Sequence, residues 1–172
     1  KLSEISGEGF RILFLISIPI SAGLIFISED LVKALYGLAY EPTGFILKII
    51  AASFFLITIN EFAIFLLLAA RKTRTAIKIT LLAAILNFTL NWVVIPHWGI
   101  FGAALVFTFT QLVIFILAYT GLRKSLGVVF KLSSITWKPF IATAAMILII
   151  IQFENVFFQV VLGGCIYITS LI

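Results

Sequence analysis

The chain has 172 residues, 63% of them hydrophobic and 11% charged, with a formal net charge of +5 and a mean hydropathy of +1.26. An ordinary soluble domain is about 45–50% apolar and about 25% charged, so a water-soluble fold of this length could not hide so much apolar surface. The chain reads as an integral membrane protein, and its positive charge as membrane-flanking loops rather than a nucleic-acid footprint. The single cysteine, Cys165, excludes an intrachain disulfide, and the single histidine, His97, leaves no cluster with metal-ligand spacing.

A span needs about 20 mostly apolar residues to cross a hydrocarbon core about 30 Å thick. Six such runs are predicted, at about 10–28, 45–70, 76–95, 99–122, 135–152 and 155–172. None alternates with the period of barrel strands, so the expected fold is an all-α membrane bundle. Lys1 opens in what reads as a loop, and the last run stops without a polar boundary. The expectation is therefore a fragment, the C-terminal part of a longer transporter-like protein.

The first span carries Pro19 in its middle, which removes one backbone hydrogen bond and should kink the helix; Ser17 and Ser21 are the candidates to satisfy the freed groups. The second carries Glu61, ten residues before Arg71. At 1.5 Å per residue this is ~15 Å, about half the hydrocarbon thickness, so Glu61 falls near the midplane. A charge there costs at least ~3 kcal/mol on insertion scales, so the carboxyl should face protein or a wet cavity, or be protonated. Ser53, Thr58, Asn60 and Glu61 fall on one arc of the helical wheel and are read as facing inward. Two readings of Glu61 stay open: a substrate or coupling-ion contact, or a protonated glutamate hydrogen-bonded to a neighbouring helix.

In the third span, Thr80, Ala84, Asn87 and Asn91 are spaced 4, 3 and 4 and form a predicted stripe of small and amide side chains; Ala104, Thr108, Gln111 and Ala118 answer it in the fourth. The favoured role of Asn87, Asn91 and Thr108 is helix packing, with Gln111 also a candidate on the transport pathway. Between these spans "IPHWGIFGAA" reverses the chain, with Pro96 ending one helix, Gly99 permitting the turn, and Trp92 and Trp98 at interface depth. "RKSLGVVFKLSS" is expected to lie at the membrane surface as a basic amphipathic connector. The fifth span follows Ser133 and Ser134 as caps, with Pro139 in its first turn, and the sixth contains the close-packing pair Gly163 and Gly164.

Ten of the 12 basic residues (Lys1, Arg11, Arg71, Lys72, Arg74, Lys78, Arg123, Lys124, Lys131 and Lys138) fall on one side of this topology, leaving Lys33 and Lys48 on the other with Glu29, Asp30, Glu41 and Glu154. The positive-inside bias places the basic side, and both chain ends, in the cytoplasm.

Two stretches carry a family resemblance. "PISAGLIFISEDLVKALYGLAYEPTGFILKI" contains an "LYG…Y" element at Leu35–Gly37 and Tyr40. "AARKTRTAIKITLLAAILNFTLNWVVIPHWGIFGAAL" joins a basic loop to paired asparagines and an "IP-x-x-G-I-x-G-A-A" turn. Both resemble the O-antigen and polysaccharide flippases of the multidrug/oligosaccharidyl-lipid/polysaccharide (MOP) exporter superfamily, across most of residues 10–125. The resemblance implies a six-helix lobe, the C-terminal half of a MATE-like two-lobe transporter in the cytoplasmic membrane, whose partner is the N-terminal lobe of the same chain. It implies no enzyme activity and no cofactor. The implied cargo is a polyprenyl-diphosphate-linked oligosaccharide, moved across the bilayer by alternating access for cell-surface polysaccharide biosynthesis.

No Arg or Lys lies deep in a span: Lys48 and Arg11 are the nearest, so the cations that hold the diphosphate are expected in the absent lobe. Glu61 would repel a diphosphate and fits an H+ or Na+ coupling site, or a sugar-hydroxyl acceptor. The alternatives are another exporter of the superfamily, either a multidrug/cation antiporter or a peptidoglycan lipid-precursor flippase, and more remotely a membrane enzyme acting on polyprenyl phosphates. Asp30 as the only aspartate, and His97 alone in a turn, argue against the enzyme.

Overall fold

The computed structural model describes residues 2–126, 138–150, 162–165, 167 and 169. Helix α1 spans Leu2–Tyr36. A 3-10 turn, Leu38–Tyr40, leads into α2, Glu41–Ala69. Helix α3 spans Thr73–Leu126 and α4 spans Lys138–Ile150; the described residues from 162 onward are also helical. Among the described residues three stretches, Gly7–Tyr36, Leu38–Ala69 and Thr73–Ser125, are long and apolar enough to cross a membrane. The protein is a multi-pass, all-helical membrane protein as far as it is described.

Helix α1 differs from its sequence expectation by starting at Leu2 rather than after a loop. Hydropathy marks only the part of a helix that hydrocarbon covers, whereas backbone hydrogen bonding continues past the boundary. Helix α4 lies within the expected fifth span and includes Pro139 near the beginning of its described part. Ser133, Ser134, most of the basic connector and the ends of the last two spans lie outside the described residues.

At 53 residues, the third apolar stretch would extend about 80 Å as a straight helix, far more than one crossing needs. Gly99 breaks it, with φ 54° and ψ −142°, a conformation that a side chain would strain. The two arms fold back antiparallel. Val94 fills the space over Gly102, Asn87 bonds Thr110, and Ile79 and Thr75 lie against Gly121, so the contacts step outward evenly from the turn. The tight hairpin expected from "IPHWGIFGAA" is present.

The chain divides into two compact units. The first comprises Lys1–Phe14 and Leu56–Ile135. In it the Phe10 and Phe62 rings meet edge to face, centroids 4.7 Å apart. The connection from α2 to α3 takes only three residues, Ala70 to Lys72, so Lys78 belongs to α3 rather than to a loop. Lys72 N–H bonds the carbonyl of Leu67 and Arg71 N–H that of Leu68, the paired bonds of a Schellman C-cap. Arg71 occupies the left-handed position, with φ 59°.

The second unit comprises Leu15–Phe55 and Thr136–Ile172. Its apolar core gathers Ile27, Ala142, Met146 and Tyr167. Ser21 Oγ donates to the carbonyl of Ala51 at 2.7 Å, tying α1 to α2. At the charged end Lys33 pairs with Glu41 (2.8 Å) and Lys48 with Glu29 (3.5 Å). Lipid is as apolar as a leucine side chain, so contacts of this kind, close packing and interhelical hydrogen bonds, associate the helices.

Candidate functional site

The middle of α2 presents two polar residues in succession, and 100° of helical rotation gives them different surroundings. Asn60 is 2% exposed, and its Nδ2 donates to both the backbone oxygen and Oε1 of Gln111, each at 2.9 Å. Glu61 is exposed. Among the described residues its carboxylate has no hydrogen-bond or ion-pair partner. The reading of Glu61 as a carboxyl bonded to a neighbouring helix is thus not realised among these residues.

The polar contacts continue from Gln111 through its neighbour on α3. Thr110 donates to the carbonyl of Val106 (2.8 Å) and accepts from Asn87 Nδ2 (3.1 Å). Asn87 Oδ1 in turn accepts from Asn91 Nδ2 (3.0 Å). These bonds fix the amide orientations, because each nitrogen meets an oxygen that accepts. Two buried acceptors, Asn60 Oδ1 and Asn91 Oδ1, close the series without partners.

The predicted arcs need correction. Ser53 and Asn60 lie at the centre of the packed face of α2 and Thr58 is half-buried, while Glu61 turns away from it. Ser17, Ser21, Ser53 and Asn60 are all buried within the fold, and Gln111, half-buried, is engaged by Asn60. Ser17 and Ser21 do not repair the Pro19 gap either: Ser17 Oγ has no partner and Ser21 reaches Ala51.

On α3, Asn87 bonds Thr110 across the hairpin, Asn91 bonds Asn87 on its own arm, and Thr108 Oγ1 donates to the carbonyl of Ala104 one turn back (3.0 Å). Thr80 and Ala84 are exposed, and the packed face runs instead through Ala76, Ile79 and Ala83. The residue missed by the sequence reading is Thr110. Counting outward from Gly99 in an antiparallel hairpin places it opposite Asn87.

The remaining features limit the chemistry. Among the described residues no group of three His, Cys, Asp or Glu could hold a metal ion. An apolar groove of about 450 Å³ between the arms of α3 is lined by residues including Val94, His97, Trp98, Leu105 and Phe109, a surface suited to hydrocarbon rather than to sugar or phosphate. Arg11 is exposed beside the first turns of α1, and Lys48 is occupied by Glu29. Among the described residues, Glu61 is the carboxylate that stands within an apolar run and is left exposed.

A family model described as lipid II flippase MurJ matches residues 1–170. No curated protein and no solved structure matches the chain.

Proposed function

The chain belongs to the lipid II flippase MurJ family, and from that premise we propose that it forms the six-helix C-terminal lobe of a flippase for a polyprenyl-diphosphate-linked peptidoglycan precursor. The coarser resemblance, to a lipid-linked flippase of the MOP superfamily, stands; this is a family of transporters rather than of catalysts. Within the superfamily the match supports the peptidoglycan-precursor reading over the O-antigen one, and it is the observation that carries the proposal.

The physical demand on such a protein is a polar path through oil for a sugar and a diphosphate, while the lipid tail stays in hydrocarbon. Glu61 is the group of this chain suited to face that path. A carboxylate at the midplane without a protein partner is tolerated where water or a second protein surface meets it. Its negative charge disfavours direct contact with diphosphate, and we assign it to a coupling H+ or Na+, or to a hydroxyl of the sugar. The cations that hold the diphosphate belong to the N-terminal lobe, and the basic segments Arg71–Lys78 and Arg123–Lys124 face the cytoplasm.

The experiment is reconstitution of the full-length protein into vesicles carrying either fluorescent lipid II or a fluorescent O-antigen-type polyprenyl-diphosphate oligosaccharide. Faster translocation of lipid II is expected. Preference for the other cargo would return the protein to the polysaccharide branch, and movement of neither would remove the flippase reading.

A further inference from the structure

Pro19 lies inside α1 and has no N–H, so the bond that position 19 would give to the carbonyl of Leu15, one turn back, is missing. In a membrane an unsatisfied carbonyl has no water to turn to. Serine and threonine hydroxyls reach carbonyls three or four positions back, so a local repair would need one at position 18 or 19. These positions hold Ile18 and Pro19. No side-chain hydroxyl of α1 is placed to restore the bond.

The donor comes from the far end of the chain. The hydroxyl of Tyr167, 152 positions away, donates to the carbonyl of Leu15. The ring is 8% exposed and sits in the core with Ile27, Ala142 and Met146. The tip of Met146 also approaches Gly23, further along α1. Packing thus fixes the ring, and its one polar atom meets the one carbonyl that the proline releases. The same turn holds a second loosely satisfied group: Ser17 is 1% exposed and its Oγ has no partner.

We propose that Tyr167 is the positioning residue of a proline hinge in α1. While its hydroxyl caps Leu15, α1 keeps one shape over residues 15–19. When the last helix withdraws the hydroxyl, the carbonyl needs another donor and the helix changes its bend there. Such an element has two discrete arrangements, as a transporter that opens alternately to either side requires. The hinge rests on the flippase reading, whereas the cap stands without it.

The test is a double-mutant cycle in the full-length protein with Tyr167→Phe, Pro19→Ala and both together. Tyr167→Phe should lower Tm by about 2–4 °C and speed hydrogen exchange over residues 15–20. In the Pro19→Ala background it should change neither, because an alanine N–H at position 19 already caps Leu15. Pro19→Ala alone should slow lipid II flipping in vesicles without weakening lipid II binding, since the hinge is lost.

An equal Tm loss in both backgrounds overturns the cap. Wild-type flipping by Pro19→Ala overturns the hinge. If Tyr167→Phe alone does not fold, recovery of folded protein in the double variant supports the cap, and failure of both counts against it. Absence of flipping by the wild-type protein defeats the flippase reading, and the hinge with it, while the Tm cycle still judges the cap.

Discussion

The amide of Asn60 on α2 clasps Gln111 on α3 twice, through its backbone carbonyl and its side-chain oxygen, both at 2.9 Å. Interhelical bonds in lipid average about 0.6 kcal/mol and reach about 1.7, and this bifurcated one should lie toward the upper end. Asn60→Ala is expected to cost about 1–1.5 kcal/mol. Gln111→Ala should cost less, because the backbone oxygen still accepts. Combining the two should cost less than their sum. Unfolding measurements on the three variants check this, and strict additivity would mean that the amides do not cooperate.

Glu61 follows Asn60 directly and predicts the opposite pattern. It is exposed and has no partner among the described residues, so Glu61→Gln should leave Tm unchanged and ease membrane insertion. If the carboxyl serves transport, the flipping rate should fall about tenfold or more, about 1.4 kcal/mol in barrier height, and its dependence on the ion gradient should disappear. Flipping that keeps its rate and its ion dependence in this variant would remove Glu61 from the mechanism.

The contrast between these neighbours shows where the sequence was legible. A wheel arc that holds Ser53, Thr58, Asn60 and Glu61 together spans about 160° at 100° per residue, wider than the face one neighbouring helix covers. Periodicity finds a polar arc but not its centre. The same ambiguity put Thr80 and Ala84 on the packed face of α3, about 100° from the buried Ile79 and Ala83.

Gly99 was legible because a proline, a histidine and a tryptophan before a glycine leave little choice but a turn, and the hairpin register then follows by counting. Asn87 against Thr110 could have been reached that way. The Tyr167 contact to Leu15 could not. Pro19 announces an orphaned carbonyl, but which of the distant hydroxyls meets it depends on tertiary packing.

The cap of α2 makes a prediction free of any functional reading. Arg71 holds a left-handed φ of 59° at the position that glycine usually fills. Its side chain is exposed, and Lys72, Arg74 and Lys78 keep the basic character of the segment. Relief of the left-handed strain, partly offset by the greater freedom of unfolded glycine, should make Arg71→Gly more stable by about 0.5–1 kcal/mol. Denaturation of the two proteins side by side measures it. A loss of stability would show that the guanidinium contributes more than the backbone strain costs.

The α1–α2 contact at the charged end rests on closeness rather than on its ion pairs. A Cβ on Gly44 would stand 2.7 Å from Glu29 Cα and 3.2 Å from its Cγ. The first of these is backbone and cannot swing aside. The neighbouring pairs Lys33–Glu41 and Lys48–Glu29 are both partly exposed, where water and salt screen them, so they do not fix the helix separation. Gly44→Ala should therefore force the helices apart and destabilise the protein by about 1–3 kcal/mol, the usual cost of overpacking. Glu41→Gln should barely move Tm. If instead Glu41→Gln costs as much as Gly44→Ala, the charges and not the close backbone contact hold this end of the hairpin together.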